Sequence, residues 1–176
     1  MECHKYELFG GRTLHVAFYQ NVQNSAALLK SVLDQAIDLS LVDARLIVGP
    51  FQIHAAAARA LLCDQSATLT TKTLHAELVF NLSGTRNVAE SFRRFGVSEK
   101  SDKVILCVFD ASEQQLAEAL QLVQGTLTPL SELGGHLEPA DYTLLKKYYK
   151  IQDAELKTSS LLDAIISRIA TKSCAK

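Results

Sequence analysis

The sequence lacks the short fingerprints of the best-known nucleotide-binding and hydrolytic sites. Neither glycine-rich phosphate cradle occurs, whether G-x-x-x-x-G-K-[ST] or G-x-G-x-x-G, and there is no G-x-S-x-G nucleophile elbow. The histidines never fall at metal-ligand spacing with one another or with a cysteine. They are His4, His15, His54, His75 and His136. A lone helical histidine is usually structural or solvated. These absences favour a binding protein over an enzyme, with no catalytic residue, metal or cofactor.

Long apolar runs and paired cysteines are missing too. No apolar run approaches the roughly 20 residues of a membrane span, and no apolar stretch follows a charged start, so we expect no signal peptide. The 4 cysteines are widely spaced without a C-x-x-C, which suits a reducing compartment better than a disulfide scaffold. With 48% hydrophobic and 21% charged residues, the chain has the composition of a globular protein.

Charge is distributed unevenly along the chain. The formal net charge is −1, but residues 101–145 carry −6, while residues 54–100 carry +2 and residues 146–176 carry +4. A polyanionic partner would therefore bind a local basic surface rather than the whole protein.

The pattern of apolar residues predicts an α/β fold in a single domain, residues 1–176, with the last few residues disordered. Two strands, 5–9 and 12–19, form an N-terminal hairpin around Gly10-Gly11. Further strands are expected at 46–48 and 104–109, the second covered on both faces. Helices are expected at about 25–37, 50–63, 74–82, 87–95, 113–124, 139–150 and 160–171. This predicts a small mixed β-sheet packed with six to seven helices.

Residues 71–98 contain two of these helices. Leu74, Leu78 and Leu82 share one helical face, and Gly84 is expected to end the helix in a left-handed conformation. Asn87 begins the second helix as the first residue of an N-x-x-E capping pattern. Strand formers in 77–82 leave a strand open as an alternative there.

Basic residues surround this helix pair. A cationic rim on an apolar framework could bind phosphate groups, although ordinary solvated charges would give the same pattern. The candidates are Lys72, Arg59, Arg86, Arg93 and Arg94, with Asn87 as a possible base contact.

The final helix has a wider apolar arc than a single core requires. Its apolar residues span about 140° of the helical wheel, whereas packing against one core needs roughly 100°. They are Leu161, Leu162, Ile165, Ile166 and Ile169. The surplus predicts either a second internal contact or a protein interface, to which the 139–150 helix could add residues such as Tyr149.

An ordered set of short segments resembles the PRPK-binding protein (TPRKB) family. The segments are Ile47-Val48-Gly49-Pro50-Phe51-Gln52-Ile53, Thr71-Lys72-Thr73-Leu74, Glu77, Phe80-Asn81-Leu82-Ser83, Asn87-Val88, Phe95-Gly96-Val97-Ser98, Tyr149-Lys150 and Leu161-Leu162-Asp163-Ala164-Ile165-Ile166-Ser167-Arg168. The similarity runs over about residues 5–172. Gly49 stands where an aspartate is familiar in the family, and the run 55–58 and the region 110–140 look unlike it.

The resemblance implies a non-catalytic, kinase-binding subunit of the KEOPS (EKC) complex, in the cytoplasm and nucleus. That complex installs threonylcarbamoyladenosine in transfer RNA. The implied direct partner is the atypical PRPK-type kinase/ATPase; the other subunits are indirect partners, and transfer RNA could be contacted at its 3′ end. No membrane is implied. A homodimeric scaffold, joined through residues 161–169, and a small enzyme with an unrecognised pocket stay open as alternatives.

Overall fold

Seven α-helices and five β-strands make up the described part of the chain. The computed structural model describes residues 1–135 and 137–174; His136 and residues 175–176, at the end predicted to be disordered, lie outside the described residues. The strands are β1 (Glu2–Tyr6), β2 (Arg12–Gln20), β3 (Ser40–Asp43), β4 (Val104–Phe109) and β5 (Thr126–Thr128). The helices are α1 (Ser25–Leu33), α2 (Pro50–Gln65), α3 (Leu74–Asn81), α4 (Val88–Phe95), α5 (Glu113–Leu122), α6 (Pro139–Tyr149) and α7 (Leu161–Ala170).

The strands form one sheet in the order β1-β2-β4-β3, and β5 extends the β1 edge by pairing with the far end of β2. Every pairing among the described strands is antiparallel. All six residues of β4 are buried, because β2 and β3 pair with its two edges and helices cover both its faces. The predicted α/β class, the central strand and the N-terminal hairpin are confirmed.

Alternate side chains of the sheet enter two separate apolar layers. Ile105 and Cys107 of β4 point into the larger layer, with residues of α2, α3, α6 and α7. Leu106 and Val108 point into the smaller layer, which α1 and α5 cover. The larger layer therefore carries the helices that the sequence associates with binding.

Predictions that depended on neighbouring residues in the sequence agree with the structure at the first chain reversal and in helices α3 and α4. Gly10 and Gly11 have φ of 70° and 77°, a left-handed conformation that glycine adopts without strain, and they reverse the chain between β1 and β2. Residues 74–81 are helical, so the strand alternative there is wrong. Asn87 accepts a hydrogen bond from the Glu90 backbone N–H at 3.0 Å and begins α4 as predicted.

The strand predicted at 46–48 is wrong. The segment that pairs with β4 lies earlier in the chain, at Ser40–Asp43. A 3₁₀ turn follows at Ala44–Leu46. The Asp43 carboxylate accepts from the Arg45 backbone N–H at 2.9 Å, which starts that turn. Leu46 is buried in the turn, so its hydrophobicity reflects core packing rather than strand pairing.

Three further local predictions differ from the structure. The first strand covers residues 2–6 instead of 5–9, since residues 7–9 form a 3₁₀ turn. Helix α1 ends at Leu33, because Gln35 adopts a positive φ of 53°. Asn24 does not cap α1; its side chain donates to Leu122 O at 2.7 Å and accepts from Gln124 N at 3.0 Å. It therefore ties the start of α1 to the end of α5.

Candidate protein-docking face and cationic rim

Helices α2 and α7 pack side by side and run in the same direction. At their N-terminal ends, a Cβ added to Gly49 would lie 3.9 Å from Leu162 Cδ2. At their C-terminal ends, Lys172 lies close enough to Arg59 and Cys63 of α2 for their charges to influence its pKa. The two helices therefore form one continuous surface at the edge of the larger layer.

Helix α2 presents an apolar stripe on its outer side. Phe51, Ala55, Ala58 and Leu62 follow one another at intervals of four, three and four residues, so they lie along one line of the helix. Phe51 is 59% exposed and Leu62 is 45% exposed, which is unusual for such large apolar side chains. The sequence predicted the helix but not this exposed stripe, so these two residues were missed.

Helix α7 adds two half-buried aliphatic residues. Leu162 and Ile166 lie on its outer flank, whereas Leu161 packs against the larger core layer. We call Phe51, Ala55, Ala58, Leu62, Leu162 and Ile166 the α2–α7 face. Phe51 and Leu62 are its exposed members, and the other four are half-buried.

Three residues predicted to bind the kinase are sealed inside the chain. Ile165 and Ile169 are 0% exposed, since they point from α7 into the larger layer. Tyr149 is buried as well; its hydroxyl donates to Leu82 O and accepts from Gln52 Nε2 at 3.3 Å. Burial raises its pKa far above the ordinary value of a tyrosine. These residues support the surface from below.

Gly84 lies against Tyr149 and Tyr148, but it does not adopt the left-handed conformation predicted for it. It does not have a positive φ. Instead, a Cβ at this position would lie 3.2 Å from Tyr149 Cδ1 and 3.3 Å from Tyr148 O. Gly84 therefore allows the α3–α4 connection to approach α6 closely.

The residues predicted to bind phosphate differ in the exposure of their side chains and in the contacts that they already make. Arg93 is 77% exposed, with only a 3.4 Å contact to Glu90, and Lys72 is also exposed. Arg86 is exposed and donates to Ser173 O at 3.1 Å. The side chain of Asn87 is used as the cap of α4, so a base contact would have to compete with that role.

Arg94 and Arg59 are less available for phosphate. Arg94 has a side-chain exposure of 16%; it pairs with Glu90 and lies over the Tyr148 ring at 3.9 Å. Arg59 is half-buried, and its Nε has no hydrogen-bond partner among the described residues. Arg94 is thus part of the α4–α6 packing, and its role as a phosphate contact stays a prediction.

Glu77 fixes the loop that carries Lys72 and precedes α3. The fully buried carboxylate accepts at Oε2 from Thr70 N at 3.0 Å, Thr71 N at 2.8 Å and Thr71 Oγ1 at 2.7 Å. Thr73 then caps α3 by accepting from Ala76 N at 3.1 Å. These bonds fix the loop before α3 and give Lys72 a defined position.

Lys72 stands at the edge of an open groove of about 710 Å³. The groove lies between α1, β3, α3 and α4, and its walls are mainly apolar, including Val32, Ile37, Val88 and Phe92. The sequence did not predict it, because its walls come from segments that are distant along the chain. Lys72 is thus a cation beside apolar surface, an arrangement that suits a flexible polyanion with aromatic bases.

Lys172 is the most unusual ionisable group near these surfaces. Only 5% exposed, it sends Nζ to Phe80 O at the end of α3, to Ser83 Oγ at 3.3 Å, and to within 3.3 Å of the Phe80 ring centroid. Burial lowers its pKa to about 7 from the ordinary 10.5. The residue anchors the segment after α7 onto α3.

His75 has a structural role. The Phe109 backbone N–H donates to Nε2 at 3.0 Å, so Nδ1 carries the proton and donates to Asp38 at 2.8 Å. Burial lowers its pKa. Within residues 1–135 and 137–174, no group of three or more histidine, cysteine or acidic side chains could hold a metal ion. None of the helices described is long and apolar enough to cross a bilayer.

Comparison with known proteins agrees with a protein-binding surface. The family model described as "Kinase binding protein CGI-121" matches residues 19–173. The chain belongs to this family. The matched region includes α2, α7 and the loop around Lys72, so both candidate surfaces lie inside it.

Individual relatives of the CGI-121 family extend over nearly the whole chain. The chain is 31% identical over 171 residues to the "EKC/KEOPS complex subunit TPRKB" of Danio rerio, covering 96% of each protein. It is 30% identical over 171 residues to the "EKC/KEOPS complex subunit cgi121" of Schizosaccharomyces pombe, covering 94% of this chain and 96% of that protein. A Coccidioides immitis subunit is 30% identical over 159 residues, 86% of this chain and 76% of that protein.

Proposed function

We propose that this protein is a non-catalytic subunit of an EKC/KEOPS complex and docks a PRPK-type atypical kinase/ATPase directly. The names of its relatives and family support both the assembly and the kinase. The observation that carries the proposal is the α2–α7 face, where Phe51 on α2 is 59% exposed and Leu162 and Ile166 on α7 are half-buried. Large exposed apolar residues on rigid helices are typical of protein interfaces.

In this proposal the other subunits are indirect partners, and the complex modifies transfer RNA in the cytoplasm and nucleus. The protein contributes surfaces, and the partner subunits perform the chemistry. A homodimer would use the same apolar face, so self-association and kinase binding would compete.

The kinase proposal is tested by charging the face on each helix. We expect Phe51→Glu and Ile166→Arg each to weaken binding of the purified kinase by about 30-fold or more, because each places a charge in a desolvated contact. Leu33→Glu is the matched control: Leu33 is 71% exposed but lies on α1, away from the face. Isothermal titration calorimetry gives the affinities, and circular dichroism checks the fold.

Kinase affinity unchanged in both folded variants would exclude the α2–α7 face. Equal losses in the Leu33 control would show a nonspecific effect of added charge and would also defeat the assignment.

We further propose a weaker contact with transfer RNA through Lys72 and Arg93, with Arg86 nearby. The fixed position of Lys72 beside the apolar groove and the exposure of Arg93 support it. Phosphate contacts release counterions, so affinity falls with salt in proportion to the number of contacts.

The salt dependence of transfer RNA binding tests this contact. Replacing Lys72 and Arg93 together by Ala should make the slope of log K against log salt shallower by about 1 to 1.5, at about 0.7 per single-strand phosphate contact. A double variant at exposed Lys100 and Lys157 controls for total charge. An identical slope in the Lys72/Arg93 variant would rule the contact out, whatever the kinase result.

A further inference from the structure

Two imidazoles from distant parts of the chain meet where β1 crosses α2. The ring centroids of His4, on β1, and His54, on α2, are 4.7 Å apart, with the ring planes tilted by 46°. His4 is exposed and His54 is half-buried, so solvent reaches the pair. Histidine spacing along the sequence gave no sign of this pair, because the fold alone brings the residues together.

Tyr6 fixes the orientation of one ring. Its hydroxyl lies 2.9 Å from His54 Nδ1. Neither His54 Nε2 nor either ring nitrogen of His4 has a hydrogen-bond partner among the described residues. Histidines that bind metals commonly donate their second ring N–H to a fixed acceptor, which holds the ring in place. Tyr6 Oη can be that acceptor when Nδ1 carries the proton.

The separation of the rings suits shared coordination. A metal–nitrogen bond of about 2.1 Å places the metal roughly 3.2 Å from an imidazole centroid. Two rings bound at about 90° to one another would then have centroids about 4.5 Å apart, and rings at a tetrahedral angle about 5.2 Å apart. The observed 4.7 Å lies between these two values, and Ni²⁺ and Cu²⁺ stand high among the divalent first-row ions in affinity for nitrogen ligands.

We propose that His4 and His54 form a two-imidazole site for a divalent transition-metal ion of the Ni²⁺ or Cu²⁺ class, with water completing the coordination. The bound ion links β1, the edge strand of the sheet, to α2 and so fastens the hairpin to the larger layer.

One other pair could compete for the same ion. On the opposite face of the hairpin, Cys3 Sγ lies 3.7 Å from His15 Nε2. Because Cys3 and His15 are directly opposite in the β1–β2 register, this pair is built into the sheet. A thiolate favours softer ions than two imidazoles do, so the two pairs can be separated by ion and by mutation.

The test is a titration of the full chain with Ni²⁺, which does not oxidise thiols, in a non-chelating buffer at neutral pH. We expect one saturable site by calorimetry and a rise in melting temperature. His4→Gln and His54→Gln should each lower the affinity at least tenfold and remove the rise in melting temperature. Tyr6→Phe should lower the affinity by a smaller factor, since it releases the ring without removing a ligand. His15→Gln and Cys3→Ser should bind as the parent does.

Three results would overturn the proposal: no saturable Ni²⁺ binding, parent-like affinity in His4→Gln, or loss of binding in His15→Gln or Cys3→Ser. His4 lies on an exposed edge strand, so His4→Gln decides the question even if His54→Gln is poorly folded.

Discussion

At the scale of single residues, Lys172 shows how a buried cation can serve as an anchor. Within the described residues its amine has no carboxylate at ion-pair distance, and it instead contacts the last turn of α3 and the Phe80 ring. A cation at a helix C-terminus is favoured by the exposed carbonyl groups there. Burial nevertheless lowers its pKa to about 7, so protonation is linked to folding in an accessible pH range.

We expect this linkage to appear as a pH-dependent stability. Between pH 7 and about 10 the unfolded chain keeps the proton on Lys172 while the folded chain releases it, so stability rises with pH. The maximum slope for one group is about 1.4 kcal/mol per pH unit, and below pH 7 the slope disappears because both states are protonated. Urea unfolding from pH 6 to 9 should show this slope in the parent chain and lose it in Lys172→Met.

Lys157→Met controls for the loss of a lysine at an exposed position. If Lys172→Met and the parent chain show the same pH dependence while Lys157→Met is unchanged, Lys172 is not protonated in the way its surroundings indicate.

At the scale of elements, the loop before α3 depends on one carboxylate. Three hydrogen bonds from Thr70 and Thr71 end at Glu77 Oε2, inside the larger layer. Replacing Glu77 by Leu leaves those donors without their acceptor. We expect a loss of about 3 kcal/mol in unfolding free energy, measured by urea titration, because three hydrogen bonds to a charged acceptor are lost together.

Glu99→Leu is a suitable comparison, since Glu99 is exposed. The Glu77 substitution should also weaken transfer RNA binding through misplacement of Lys72, whereas kinase binding should persist in the folded fraction. Unchanged stability in Glu77→Leu would mean that the loop finds other acceptors.

The sequence predicted an element correctly when the residues that determine it are close together along the chain. The helices α3 and α4 and the Gly10-Gly11 reversal were predicted correctly, since all these signals lie within a few residues. Strand β3 was missed because its partner, β4, is about 60 residues further along the chain, and the register depends on that pairing.

The candidate surfaces were likewise predicted only as far as local sequence patterns reach. Periodicity correctly identified the α7 residues as apolar, but it could not tell Ile165, which is sealed in the core, from Ile166, which is half-exposed. The α2 stripe was missed because a helix rich in alanine reads as a core helix, and only the packed structure leaves Phe51 and Leu62 outside. The groove and the His4–His54 pair needed tertiary contacts as well.

At the scale of the whole molecule, the two layers of the sheet have different roles. The larger layer, beneath α2, α3, α6 and α7, supports the α2–α7 face and carries the proposed kinase contact. The smaller layer, beneath α1 and α5, supplies one wall of the groove through α1. The two proposed contacts involve different helices, so we expect both partners to bind at once.

The enclosure of β4 between two strands and two helical layers determines when its backbone amides exchange with solvent. Its amide protons are bonded between two neighbouring strands and shielded above and below, so deuterium from the solvent should replace them only when the entire chain unfolds. β1, which is mostly exposed and has one neighbour in the sheet, should instead exchange early. The slowest amides therefore report the total free energy of unfolding, and the earliest ones report the detachment of a single edge.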